Sequence, residues 1–157
     1  MTDENKGKIW RVRDDLVWCG EPASINLGIM GFDVEDYIFN PDRAYEDLSR
    51  ERGEGLAVVD VSLVGKIEGE GRYTSESTSG FYLTGVRLMK DLIKANPDKF
   101  PEHAMMFTIA DPKTMVYSQA KEFCRVHRIP LLEGRDHDGY SFGEAIKERY
   151  EQVFGDR

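Results

Sequence analysis

Asp14 and Asp15 stand together at the end of Lys8-Ile9-Trp10-Arg11-Val12-Arg13, and Asp60 follows the apolar run Leu56-Ala57-Val58-Val59. Carboxylates gathered at strand ends either hold a hard divalent cation or force one of their number to keep its proton. Two like charges ~4 Å apart repel by about 1 kcal/mol in water and about 4 kcal/mol at an effective dielectric near 20. A cleft holding all three must therefore take one of those two courses. Mg²⁺ suits such a set best, because it takes oxygen ligands, needs few protein groups and keeps several waters. The alternative is three separate strand-end aspartates solvated by water, and spacing alone does not choose between the two.

What positions these residues is an alternation of strands and helices. Lys8–Arg13 reads as a first strand, and Gly20 to Met30 as a helix opened by Glu21-Pro22. Phe32–Phe39 is a second strand, followed by Asn40-Pro41, an N-cap with proline at the first helical position. Ala44, Tyr45 and Leu48 mark the inner face of that helix, and Gly53-Glu54-Gly55 closes it. The run from Leu56 to Asp60 is continuous and apolar, the pattern of a strand buried on both faces.

Lys66 to Gly80, rich in Gly, Ser, Thr and Glu, reads as a mobile surface loop inserted into the chain. Val86, Leu88, Met89, Leu92 and Ile93 then recur at helical spacing up to Asn96-Pro97. Ala104–Ala110 is a fourth buried strand, Asp111-Pro112 opens a helix running to about His127, Ile129–Glu133 is a short fifth strand, and a last helix carries Phe142, Ala145, Ile146, Tyr150 and Val153. Five such alternations predict an α/β, flavodoxin-like (βα)5 three-layer sandwich, with a five-stranded parallel sheet in the order 2-1-3-4-5. In that order the first and third strands are neighbours, and ligands sit at the switch point beyond their carboxyl ends. Asp14, Asp15 and Asp60 belong there.

The chain of 157 residues suits one domain, 1-157, with 40% apolar and 32% charged residues. A formal net charge of -8 argues against direct nucleic-acid binding, which needs clustered Lys and Arg. No apolar run has membrane-spanning length, and Met1-Thr2-Asp3-Glu4-Asn5-Lys6 has neither basic leader nor apolar h-region, so a cytoplasmic location is expected. Cys19 and Cys124 fall in no metal or redox spacing and read as free thiols. His103, His127 and His137 are scattered without ligand spacing, which supports neither zinc nor a Ser/His triad.

The order strand, acidic pair, helix, Gly31-Phe32, Val58-Val59-Asp60-Val61-Ser62-Leu63, Thr84-Gly85 and Thr108-Ile109-Ala110 resembles a receiver domain of the two-component response regulators over nearly the whole chain. The resemblance implies that Asp60 is a phosphoacceptor forming an aspartyl phosphate. It implies Mg²⁺ held by Asp14, Asp15, Asp60 and the backbone carbonyl of Ser62, with Thr108 bonding a phosphoryl oxygen. It further implies a stand-alone signalling protein and not an enzyme beyond self-phosphorylation and dephosphorylation. A sensor histidine kinase or phosphotransfer protein would act upstream and a protein partner downstream, with a homodimer allowed.

The chain departs from the family where a lysine ends the fifth strand. It reads Leu131-Leu132-Glu133-Gly134-Arg135-Asp136, so Arg135 is the nearest candidate to replace that cation. Leu131 or Leu132 takes the place of an aromatic, and Arg13 stands where another carboxylate is usual. These departures favour the alternative of a degenerate receiver acting as a phosphorylation-independent interaction or dimerisation module. A flavin or nucleotide enzyme of the same fold would want free N–H groups after the first strand, where Asp14-Asp15 instead offers negative charge.

Overall fold

The computed structural model describes residues 6–14, 20–63, 71–74, 78 and 82–155. Asp15, Trp18, Cys19 and most of the 66-80 insertion therefore lie outside the described residues. The strands are β1 (Gly7–Arg13), β2 (Phe32–Ile38), β3 (Leu56–Asp60), β4 (Ala104–Thr108) and β5 (Leu131–Glu133). The helices are α1 (Gly20–Ile29), α2 (Pro41–Leu48), α3 (Thr84–Ala95), α4 (Met115–His127) and α5 (Gly139–Phe154). All five strands are parallel in one sheet ordered β2-β1-β3-β4-β5, which is the α/β flavodoxin-like architecture the sequence predicts.

The sheet is covered on both faces because its central strands are apolar in both directions. β3 and β4 are buried at every position. Trp10, Val12, Ala57, Val59 and Met106 pack toward α2, α3 and α4. Ile9, Leu56, Val58, Met105 and Phe107 pack toward α1 and α5, where Phe107 stacks on Phe142 with ring centroids 4.2 Å apart. Asn40 caps α2 by accepting from the Arg43 N–H at 3.2 Å, with Pro41 behind it, as their residue types dictate.

Several boundaries move: β5 starts at Leu131 and not Ile129, β2 ends at Ile38 and not Phe39, and the β4–α4 join shifts most. β4 ends at Thr108 and α4 opens at Met115, because Asp111–Thr114 forms its own turn. There Asp111 accepts from the Lys113 N–H at 2.9 Å, and the Thr114 hydroxyl caps α4 through the Tyr117 N–H at 3.3 Å. The insertion differs more. In place of a wholly mobile surface loop, residues 71–74 are pinned on α2 and α3: the Arg72 guanidinium lies 3.8 Å from the Tyr45 ring centroid, and Asp42 accepts from the Arg72 N–H at 2.6 Å. Tyr73 is buried and its hydroxyl donates to Asp91 at 2.9 Å; Thr78 is buried as well. Tyr73→Phe should therefore lower the urea unfolding free energy by about 2 kcal/mol, the worth of one such bond to a charged acceptor. No change would mean the insertion is not anchored there.

Candidate functional site

The end of β3 delivers Asp60 to the switch point between β1 and β3. The residue is 3% exposed, and its Oδ2 accepts from the backbone N–H of Asp14 at 2.9 Å. Its Oδ1 is buried with no hydrogen-bond partner among the described residues. Asp14 is itself 3% exposed, so two of the three expected carboxylates meet in one place. Asp15 lies outside the described residues. Among those described, no group of three or more His, Cys, Asp or Glu side chains could hold a metal ion.

Thr108 and Ser62 join this site. Thr108, the last residue of β4, is buried, and a cavity of about 10 Å³ is lined by Asp60, Ser62, Phe107, Thr108 and Ile109. That is room for roughly one water-sized atom group. The Thr108 Oγ1 accepts from the Ala110 N–H at 3.0 Å, which leaves its O–H able to donate. The Ser62 hydroxyl donates to the Tyr82 carbonyl at 2.7 Å and ties the chain after β3 to the approach of α3.

Gly85 fixes that approach. Its N–H donates to the Val61 carbonyl at 2.8 Å, and a side-chain carbon at position 85 would run into the backbone oxygen of Asp60. Only glycine lets the first turn of α3 lie against the end of β3 this closely. Gly85→Ala should cost about 2 kcal/mol in unfolding free energy, within the usual range for overpacking. A cost near zero in chemical denaturation would show that α3 can shift away.

The charges around Asp60 come from an unexpected quarter. Arg11 and Arg13 occupy alternate positions of β1 and point, like Ile9, toward α1; they are 0% and 3% exposed. Arg11 donates to the Gly20 carbonyl and to the Ser24 hydroxyl at 2.8 Å, and its guanidinium lies 4.8 Å from the Phe142 ring centroid. Arg13 Nε pairs with Asp36 at 3.0 Å, and the Ser24 hydroxyl donates to the same carboxylate oxygen at 2.9 Å. One chain of polar contacts thus runs Arg11, Ser24, Asp36, Arg13 beneath α1.

Burial pushes the Asp60 carboxyl from its ordinary 3.8 up to about 7. The charge of Arg11 and the Asp14 N–H oppose that rise, the charge of Asp14 adds to it, and Arg13 opposes it more weakly. Asp60 is consequently a carboxyl poised near neutrality, the state a reactive acid or base requires.

Arg135 falls elsewhere. It is exposed, in the short 3-10 turn Gly134–Asp136 that follows β5, and is not among the residues lining the Asp60 cavity. Opposite Thr108 in the β4–β5 register stands Glu133, whose carboxylate accepts from the Tyr117 hydroxyl at 2.8 Å. The residues that sequence reasoning missed are Arg11, Ser24 and Asp36. The signal for Arg11 was available: it shares the period-two face of Ile9 and Arg13, and a central parallel strand buries both faces.

The fold and site together define an α/β flavodoxin-like domain with a buried acidic switch point. Comparison of the chain with protein-family models, with curated proteins and with solved structures found no match. No helix among the described residues is long and apolar enough to cross a membrane.

Proposed function

We propose that this chain is a receiver-like signalling protein that accepts a phosphoryl group on Asp60. The observation that carries the reading is Asp60 itself: a buried carboxylate at the switch point, one oxygen held by the Asp14 N–H and the other without a hydrogen-bond partner among the described residues. In the transfer, a carboxylate oxygen of Asp60 attacks phosphorus, the bond from phosphorus to the donor atom breaks (a histidine nitrogen in a kinase donor, an oxygen in acetyl phosphate), and the donor leaves with that bond's electrons. The Asp14 N–H holds Oδ2 in place and so fixes the orientation of the carboxylate. Thr108 donates its O–H to a phosphoryl oxygen, since its own oxygen already accepts from Ala110.

The donor set suits a hard cation, because the atoms offered are oxygens and Asp60 Oδ1 is an orphaned buried acceptor. Asp14, Asp15, Asp60 and the Ser62 carbonyl would hold Mg²⁺. When bound, it would neutralise charge on the transferring group and keep Asp60 ionised. The signal would pass to a protein partner, with a sensor histidine kinase or phosphotransfer protein as donor.

A second reading, a degenerate receiver that binds its partner without phosphorylation, is favoured by one observation. The β5 position beside Thr108 carries Glu133, a carboxylate bonded to the Tyr117 hydroxyl, where the receiver family has a cation at the strand's end. Incubation with acetyl phosphate and Mg²⁺ separates the two. A mass gain of one phosphoryl group that disappears in Asp60→Asn supports acceptance; an unchanged wild-type mass supports the degenerate module.

A further inference from the structure

We propose that Arg11, from inside β1, is the positioning cation of the Asp60 site and holds the negative charge that the acceptor carries before and during phosphoryl transfer. The inference rests on the reading of Asp60 as acceptor, and names the source of the positive charge which that chemistry requires.

The geometry begins with the parallel register. Arg11 pairs with Val58 and Val12 with Val59, so Arg11, Val58 and Asp60 share one face of adjacent strands, with Asp60 one pleat further along. That diagonal sets the Arg11 charge close enough for the Asp60 carboxyl to feel it, the largest ionic influence on that group. The guanidinium is completely buried and clamped: the Gly20 carbonyl and the Ser24 hydroxyl accept from it on the α1 side, and the Phe142 ring lies against it from α5. A fixed cation in a dry environment stabilises developing charge far more than a solvated one, and costs no reorganisation at the moment of reaction.

The competing cations are less suited. Arg135 is exposed in the turn after β5, and Arg13, although buried, spends its Nε on Asp36. Glu133, across from Thr108, brings an anion to the edge where a β5 cation would stand. The Asp60 carboxylate, at the end of the neighbouring strand β3, also makes the burial of the Arg11 charge inside β1 tolerable.

The test combines kinetics with an equilibrium cycle on the full chain. With acetyl phosphate and Mg²⁺, Arg11→Met should slow adduct formation by about 100-fold or more, while Arg11→Lys, which keeps the charge, should stay within about tenfold of wild type. The loss in Arg11→Met should exceed that in Arg135→Met by at least about tenfold; the reverse ranking overturns the proposal. Because Arg11→Met can weaken folding for structural reasons alone, urea unfolding of wild type, Arg11→Met, Asp60→Asn and the double variant at pH 8 supplies the second measurement. A coupling of about tenfold or more in the unfolding equilibrium is expected, because Arg11 matters chiefly while residue 60 carries a charge. Additive losses reduce Arg11 to a packing residue and sink the proposal whatever the kinetics give. A wild-type chain that forms no adduct overturns the acceptor reading instead; the cycle, which needs no phosphodonor, still decides whether Arg11 is the counter-charge of Asp60.

Discussion

Asp60→Asn, compared with wild type in urea unfolding without divalent metal, should gain about 4 kcal/mol of relative stability between pH 4 and pH 8. The wild-type carboxyl sits near 7 in the folded protein against an ordinary 3.8, raised chiefly by burial. A folded acid that binds its proton more tightly than the unfolded one contributes stability that is fully present below the unfolded value. That stability is lost as pH rises through the folded one. Each factor of ten in the acid's dissociation is worth about 1.4 kcal/mol, so ionising Asp60 in place costs on the order of 4 kcal/mol. Asparagine has no proton to lose, and its carbonyl keeps the bond from the Asp14 N–H, but its amide N–H groups replace an acceptor in the positive field of Arg11 and Arg13, at a cost of about 1–3 kcal/mol. The variant should therefore be less stable than wild type at pH 4 and more stable at pH 8. A pH-independent difference between the two proteins would remove Asp60 as a poised acid. Under the proposed function, Mg²⁺ should stabilise wild type at pH 8 and leave Asp60→Asn unmoved, with about 1.4 kcal/mol gained at ten times its dissociation constant.

Asp36→Asn should destabilise the protein by about 3 kcal/mol. The Arg13 side chain is only 4% exposed, and Asp36, 26% exposed, is its carboxylate partner at 3.0 Å while also accepting from Ser24. Breaking a buried pair from one side weakens the compensation of the charge that stays, which costs about 3–5 kcal/mol when both groups are fully inside. The partial exposure of Asp36 moves the expectation to the lower end. Removing the cation as well, in Arg13→Met/Asp36→Asn, should recover most of the loss, because neither buried charge then remains. A single variant within about 0.5 kcal/mol of wild type would class the pair with surface salt bridges, which contribute little.

Sequence by itself determined the sheet. Short apolar runs at Leu56–Asp60 and Ala104–Thr108, bounded by turn signals, read as strands covered on two sides, and the Asn40-Pro41 and Gly31 signals divide the helices from the strands between them. It also brought Asp14 and Asp60 to one point, since β1 and β3 are neighbours in the order that such alternation imposes. Three things were decided only by tertiary structure. Tyr73 looks like a loop residue because local composition is polar; it is buried because Asp91 and the α2–α3 surface stand opposite it. Thr114, and not Asp111, opens α4, since both types cap helices and only the turn between them selects one. Arg11 and Arg13 look like surface charges, because an arginine side chain is ordinarily free to reach water. Lying between β2 and β3 takes that freedom away, and the carboxylates that make their burial tolerable are 23 to 49 residues distant in the chain (36 − 13 and 60 − 11). Local pattern sets which faces are apolar, whereas the balance of buried charge is settled between strands that meet only in the folded sheet.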